Sequence, residues 1–295
     1  MKTYSIYGNC QAVALAKVLS TCDYFKKNYS FVRLKPVHRI AHDEYIDFSE
    51  NIAPKLSFLL SQPVSDEYRG GGYGSESLKT SCDSFLYFPS IQFHGYFLGL
   101  KTIKFPSTIE FRDEFRANYG VSFTDIMHFD YILKAYLADS SVVKTAELFY
   151  CKKLFGKEEV QTFADNSLSY LHNKEQSLGL DFSLSSFISE NLRERRLFHT
   201  YRHPNTILLT ELATMVLSKL NIQDFSKERL LNKDPLSHIS YPIQRSVEEH
   251  LDLQFSDFFL RINGMVLDVK EMVDFYYSIY SKFDKALLTK LLKAS

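Results

Sequence analysis

The stretch YSIYGNCQAVALAKVL, residues 4–19, changes its period in the middle. Up to Tyr7 it is a short β-branched and aromatic run, the composition of a buried strand. From Gln11 onward Ala12, Leu15, Ala16 and Leu19 stand at i, i+3, i+4 and i+7, the spacing of one helix face. Gly8, Asn9 and Cys10 make the joint. A strand passing through a three-residue turn into a helix is the opening move of an α/β sheet.

Further strands are expected in SFVRLKPVH, in KLSFLLSQPVS up to Pro63, and in SFLYFPSIQF before His94-Gly95. RLFHTYRHP returns to strand character, and Pro204 stands where a helix can begin. Leu208, Leu212, Met215 and Val216 stripe the helix after it. Apolar residues at helical spacing from Thr124 to Arg195 predict a helical insertion. Val269, Val273, Tyr276, Tyr280, Phe283, Leu287 and Leu291 predict one long C-terminal helix. The expectation is a single α/β domain over residues 1–295, with a mostly parallel sheet and an insertion at 124–195.

Composition narrows the function classes. The chain has 295 residues, 45% hydrophobic and 24% charged, as in globular proteins. Lys+Arg and Asp+Glu are 35 each, so net charge gives no argument for nucleic acid or an anionic membrane. No apolar run is long enough to span a bilayer, and the N-terminus lacks the apolar core of a signal peptide. Cys10, Cys22, Cys82 and Cys151 form no C-x-x-C pair and no zinc-finger spacing, so no metal site is expected. Reduced thiols in a cytoplasmic protein are the default, with Cys22, Cys82 and Cys151 read as mostly buried.

In a parallel sheet, ligands bind beyond the carboxyl ends of the strands. Three polar turns are expected there: Gly8 to Gln11, Gln62 to Arg69, and His199 to Asn205, joined by His94-Gly95. A thiol at a helix start ionises more easily, so Cys10 is a candidate nucleophile. Asn9 and Gln11 carry amides able to hold an oxyanion. The other reading of the same residues is a packed Cys10 and an Asn9 helix cap, and both stay open. His203 and His199 are each candidate bases, with preference for His203 at the strand end. Arg193, Arg195 and Arg196 suit either an anion or a solvated helix end. Arg202, between Tyr201 and His203, is the better ligand candidate. The loop from Asp66 through Gly72 lacks the Lys-Ser/Thr of a nucleotide P-loop.

YGNCQA, SQPVSDEY, FPSIQFHGY and HTYRHPN, in that order from Tyr7 to about Leu220, resemble the WcbI-type polysaccharide biosynthesis acetyltransferases. SYPIQRSVEEHL, from Ser240 to Leu251, is a candidate extension. The resemblance implies a three-layer sandwich like that of SGNH hydrolases. It also implies coenzyme A as cofactor, and an acetyl transfer to a sugar hydroxyl of a surface glycan or its nucleotide-sugar precursor. In SGNH-type enzymes a Gly-Asp-Ser turn bears the nucleophile, and Gly8-Asn9-Cys10 stands in that place. Their late Asp-x-x-His block puts His203 as base, with Thr200 where the Asp would be.

The roles so implied are catalytic for Cys10, His203, Asn9 and Gln11. Gly8, Gln11, Arg202 and Tyr201 would bind coenzyme A. Gln62, Tyr68, Arg69, His94 and His199 would bind the acceptor. Two other readings accompany this one: an SGNH-type acyl esterase, and a non-catalytic module that binds coenzyme A or glycan.

Overall fold

The computed structural model describes residues 1–82, 84–222 and 234–294. The chain divides into two units, each assembled from three segments. The first takes residues 1–92, 168–191 and 202–236; the second takes 93–167, 192–201 and 237–295.

The first unit is built on a four-stranded sheet. Its strands are β1 (Lys2–Tyr7), β2 (Tyr29–Phe31), β3 (Phe58–Ser61) and β4 (Phe85–Tyr87), in the order β2-β1-β3-β4. Every pairing is parallel. The register puts Tyr7, Ser61 and Tyr87 in one row at the carboxyl edge. Hydrogen bonds carry that row one residue further, from Gln62 N to the Tyr7 carbonyl and from Phe88 N to the Ser61 carbonyl, each 2.9 Å. The turns after β1, β3 and β4 therefore leave the sheet side by side.

Strand β3 is buried throughout, the state of a central strand covered on both faces. The Tyr4, Phe25, Tyr29 and Phe58 rings pack together, with Tyr4 stacked on Phe58 at 5.2 Å. Helix α1 (Cys10–Leu19) buries its predicted stripe of Ala12, Leu15, Ala16 and Leu19. It lies against the Thr206–Lys219 helix, whose Leu208, Leu212, Ala213 and Val216 are fully buried.

Three sequence expectations change in this unit. The second strand keeps only Tyr29–Phe31; after Val32 N bonds the Tyr4 carbonyl, the chain veers off and Val37 N bonds the Gly8 carbonyl. His203–Pro204 is a two-residue strand outside the four-stranded sheet. The helix after it starts at Thr206, because Asn205 and not Pro204 directs the cap: its Oδ1 accepts from Leu208 N at 3.2 Å.

The second unit contains the helices Ile109–Tyr119, Asp130–Leu137, Val142–Tyr150, Val269–Tyr280 and Lys285–Ala294. It also has a small antiparallel sheet in which Leu260–Ile262 pairs with Met265–Leu267 and with Ile239–Ser240. The Thr124–Arg195 stretch is helical as expected, with Lys157–Ser177 and Ser185–Asn191 completing it. The expected long terminal helix is two helices. Asp284 stops the continuation by capping the second one, its Oδ1 accepting from Ala286 N at 2.7 Å. Cys151, expected inside, is exposed just past the end of the Val142–Tyr150 helix, whereas Cys22 and Cys82 are buried. Among the described residues no helix is long and apolar enough to cross a membrane.

The interior of the second unit is rich in tyrosine. Tyr276 donates to the Met127 carbonyl, and Met127 N donates to the Tyr241 hydroxyl, each at 2.7 Å. His128 packs against Tyr276 and Tyr280, fully buried, its Nδ1 3.2 Å from the Tyr280 hydroxyl. Burial drives the His128 pKa from 6.5 to about 3, so the ring is neutral in the folded chain. Below pH 6.5 the unfolded chain takes up a proton that the folded chain refuses. The stability this group confers is thus complete above pH 6.5 and is lost as pH falls toward 3. By pH 5 the loss, counted from neutral and higher pH, is about 2 kcal/mol. Urea unfolding of wild type and His128→Phe across this range is expected to show the slope in the wild type alone. Parallel pH dependences would refute it.

The Lys157–Ser177 helix ends in the first unit with a buried carboxylate. Glu175 is 3% exposed. Its oxygens accept from Leu184 N at 2.8 Å and from the Ser183 and Ser185 hydroxyls at 2.6 Å each. The anion thereby satisfies the opening turn of the Ser185–Asn191 helix, where backbone N–H groups concentrate positive charge.

Candidate functional site

The site is built on the turn after β1. Asn9 is the N-cap of α1, its Oδ1 accepting from Gln11 N at 2.9 Å. Cys10 is the first helical residue and is half-buried. The backbone N–H of Asn9 donates to Gln62 Oε1 at 2.9 Å, which fixes the turn to the end of β3. Gly8 is required by space: a Cβ there would lie 2.5 Å from Gln62 Oε1. A larger residue would push out the amide that holds Asn9.

Gln11 is 1% exposed and uses its whole hydrogen-bonding capacity. Its Nε2 donates to the carbonyls of Ile91 at 2.7 Å and Arg202 at 2.8 Å. Its Oε1 accepts from Ile91 N at 3.0 Å and Gln62 Nε2 at 3.1 Å. The expected role of this amide as an oxyanion donor therefore does not fit, since both of its hydrogens are engaged by protein carbonyls. The Asn9 amide is different. One Nδ2 hydrogen goes to the Ser90 hydroxyl at 3.3 Å, and an amide carries two. Ser90 is a member of the site that the sequence reading passed over; its signal was the FPS turn following β4.

His203 and Arg202 belong to this same unit, with His203 half-buried and Arg202 exposed. The Arg202 carbonyl is the acceptor for Gln11, so the chain just before His203 is bonded to the residue just after Cys10. Asp234, outside every sequence motif, receives the N–H of Thr206 at 2.7 Å and steadies the start of the following helix.

The Gly-rich loop is also in this unit. Arg69 has φ 55° and turns its guanidinium inward, donating to the carbonyls of Ile40 at 2.7 Å and Val37 at 3.3 Å. It lies 4.8 Å over the Tyr73 ring. Expected as an acceptor ligand, Arg69 instead fastens the loop to the 37–40 segment. Tyr68 packs half-buried against the apolar cluster around Tyr7, Tyr45 and Tyr73.

The remaining candidates lie in the second unit. His94 stacks on Tyr201 with ring centres 4.2 Å apart, and its backbone N donates to the Ser167 hydroxyl. Tyr201 is 7% exposed, so one ring face is taken by His94 and little of the rest is open. His199 places Nδ1 3.4 Å from the Ser240 hydroxyl. Arg196, one of the basic cluster, is structural: it donates to the carbonyls of Phe198 at 2.8 Å and Tyr241 at 2.6 Å and pairs with Asp257. Burial pulls its pKa down, and the Asp257 charge opposes that. Among the described residues, no group of three or more His, Cys, Asp or Glu side chains is arranged to hold a metal ion.

The model of a protein family described as polysaccharide biosynthesis enzyme WcbI matches residues 3–224 of this chain. No match is found among curated proteins. Among solved structures, one of WcbI superposes with a TM-score of 0.80 at 21% identity, covering 99% of this chain and 94% of that one. That protein is described as a novel polysaccharide biosynthesis enzyme, in its native form without a disulfide bond between coenzyme A and one of its cysteines. The superposition shows the fold: a mixed α/β chain around a parallel four-stranded sheet.

Proposed function

Because the chain belongs to the WcbI family of polysaccharide biosynthesis enzymes, we propose that it transfers an acetyl group from acetyl-coenzyme A to a sugar hydroxyl of a surface polysaccharide or its nucleotide-sugar precursor. The observation that carries the reading is the Gly8–Gln11 turn. It sets a half-buried thiol at a helix start, on the carboxyl edge of a parallel sheet, tied to the segment that bears His203. The cysteine and coenzyme A named together for the related structure support the same donor.

Coenzyme A supplies the activated acyl thioester when bound. The residue that fits its phosphates is Arg202, whose exposed guanidinium suits phosphate oxygens. His203 takes the proton from the acceptor hydroxyl as that oxygen bonds to the acyl carbon. The same imidazole would then give the proton up to the leaving thiolate of the donor. Asn9, whose amide gives one hydrogen to the Ser90 hydroxyl, would offer the other to the oxyanion. In this reading the hydroxyl attacks directly, and Cys10 has no covalent role.

Coenzyme A at a hundred times its Kd is expected to stabilise the folded chain by about 2.7 kcal/mol, seen as a rise in Tm. Arg202→Ala should reduce the rise. Absence of any shift at millimolar coenzyme A would overturn the donor assignment.

A further inference from the structure

Four hydrogen bonds fix the Gln11 amide in one orientation. Turned over, it would set NH2 against the Ile91 N–H, and its oxygen against the carbonyls of Ile91 and Arg202. Gln62 meets the oxygen of Gln11 with its own Nε2 and accepts the Asn9 N–H with its own oxygen. Each glutamine thus dictates the orientation of the other. Both are buried, at 1% and 3% exposure, where an unmade hydrogen bond is costly.

What the pair connects is specific. Gln62 holds the residue before Cys10. Gln11, the residue after Cys10, holds the Arg202 carbonyl immediately before His203. The Ile91 clamp fixes the same amide to the turn following β4. Three turns distant in sequence are therefore locked to one side chain. A packing role would need only volume at Gln11; the observed pattern needs two donors and two acceptors, each in its place.

We infer that Gln11 is a positioning residue that sets the placement of His203 relative to Cys10, with Gln62 as the group that orients it. The inference rests on the proposed transferase site but concerns the relation of two side chains, so it has a readout that needs neither donor nor acceptor. That readout is the pH dependence of Cys10 alkylation by iodoacetamide, followed on the Cys10 peptide by mass spectrometry. The wild-type profile is expected to carry an inflection from the His203 imidazole, absent in His203→Ala. Gln11→Met, similar in volume and without donors, is expected to lose that inflection while keeping a cooperative thermal transition. Gln62→Met, which leaves the Arg202 bond possible, is expected to shift the inflection.

A folded Gln11→Met with the wild-type profile would overturn the inference. So would a wild-type profile that His203→Ala leaves unchanged. If Gln11→Met fails to fold and Gln62→Met matches wild type, the pair is packing and nothing more. A chain that shows the inflection and its loss, yet gives no thermal shift with coenzyme A, would sink the transferase reading and leave the positioning role standing.

Discussion

Replacing His203 by alanine is expected to lower kcat for acetyl transfer by about 10²–10⁴-fold, the usual contribution of a general base. The change should fall on kcat rather than on KM for the donor, because the imidazole acts on the acceptor proton. Cys10→Ala separates the two routes by which the acetyl group can pass. If the hydroxyl attacks directly, Cys10→Ala keeps measurable activity, and incubation with acetyl-coenzyme A alone leaves no adduct on the Cys10 peptide. If the thiol carries the group, a single acetyl adduct appears there and Cys10→Ala is inactive. The direct route is the one proposed here, with the Asn9 amide as the donor that would meet the oxyanion. A stoichiometric acetyl-Cys10 species that reacts onward to acceptor at a competent rate would defeat it. A His203→Ala enzyme with unimpaired kcat would remove the base altogether.

The second large effect is on stability. Glu175→Ala leaves the Leu184 N–H and two serine hydroxyls without their buried acceptor. The expected cost is about 3–4 kcal/mol, at the severe end for a single substitution. Equilibrium urea unfolding should record it as a midpoint lowered by roughly 1 M. Glu175→Gln keeps one acceptor oxygen and is expected to lose about half as much. An alanine variant within ~0.5 kcal/mol of wild type would mean that solvent replaces the carboxylate at no cost.

The parts of this molecule that were legible in its sequence are the local ones. The strand, the polar turn and the helix of residues 4–19 each announce themselves within a few positions, and α1 buries the stripe its spacing predicts. The neighbours of the turn were legible through strand order, because a parallel sheet brings its carboxyl ends together. What the amides do there was not. Gln11 has the chemistry of an oxyanion donor until its partners are known, and those lie 80 and 191 positions away. Arg69 likewise read as a ligand for an acceptor, and only the loop's left-handed backbone turns it onto the Ile40 carbonyl.

The terminal helix shows the opposite failure. Its apolar stripe runs unbroken across Ser281 to Asp284, so periodicity alone joins what a capping carboxylate separates. Tyrosine abundance was plain at 19 residues, but not that Tyr241 and Tyr276 would serve as buried hydrogen-bonding partners of the Met127 backbone.

The tie between Gln11 and Arg202 also has a meaning for synthesis. The glutamine leaves the ribosome 191 residues ahead of the carbonyl it must reach. At ordinary elongation rates that gap is roughly 10–40 s. Throughout it the turn can fold against Gln62 and then Ile91, while one amide hydrogen waits on water. A nascent chain halted before residue 202 would own a sheet, a helix and a cysteine in place, yet lack the last fastening that brings a histidine to them. Completion of the site is therefore a late event of its translation, reached only once residue 202 has followed the turn.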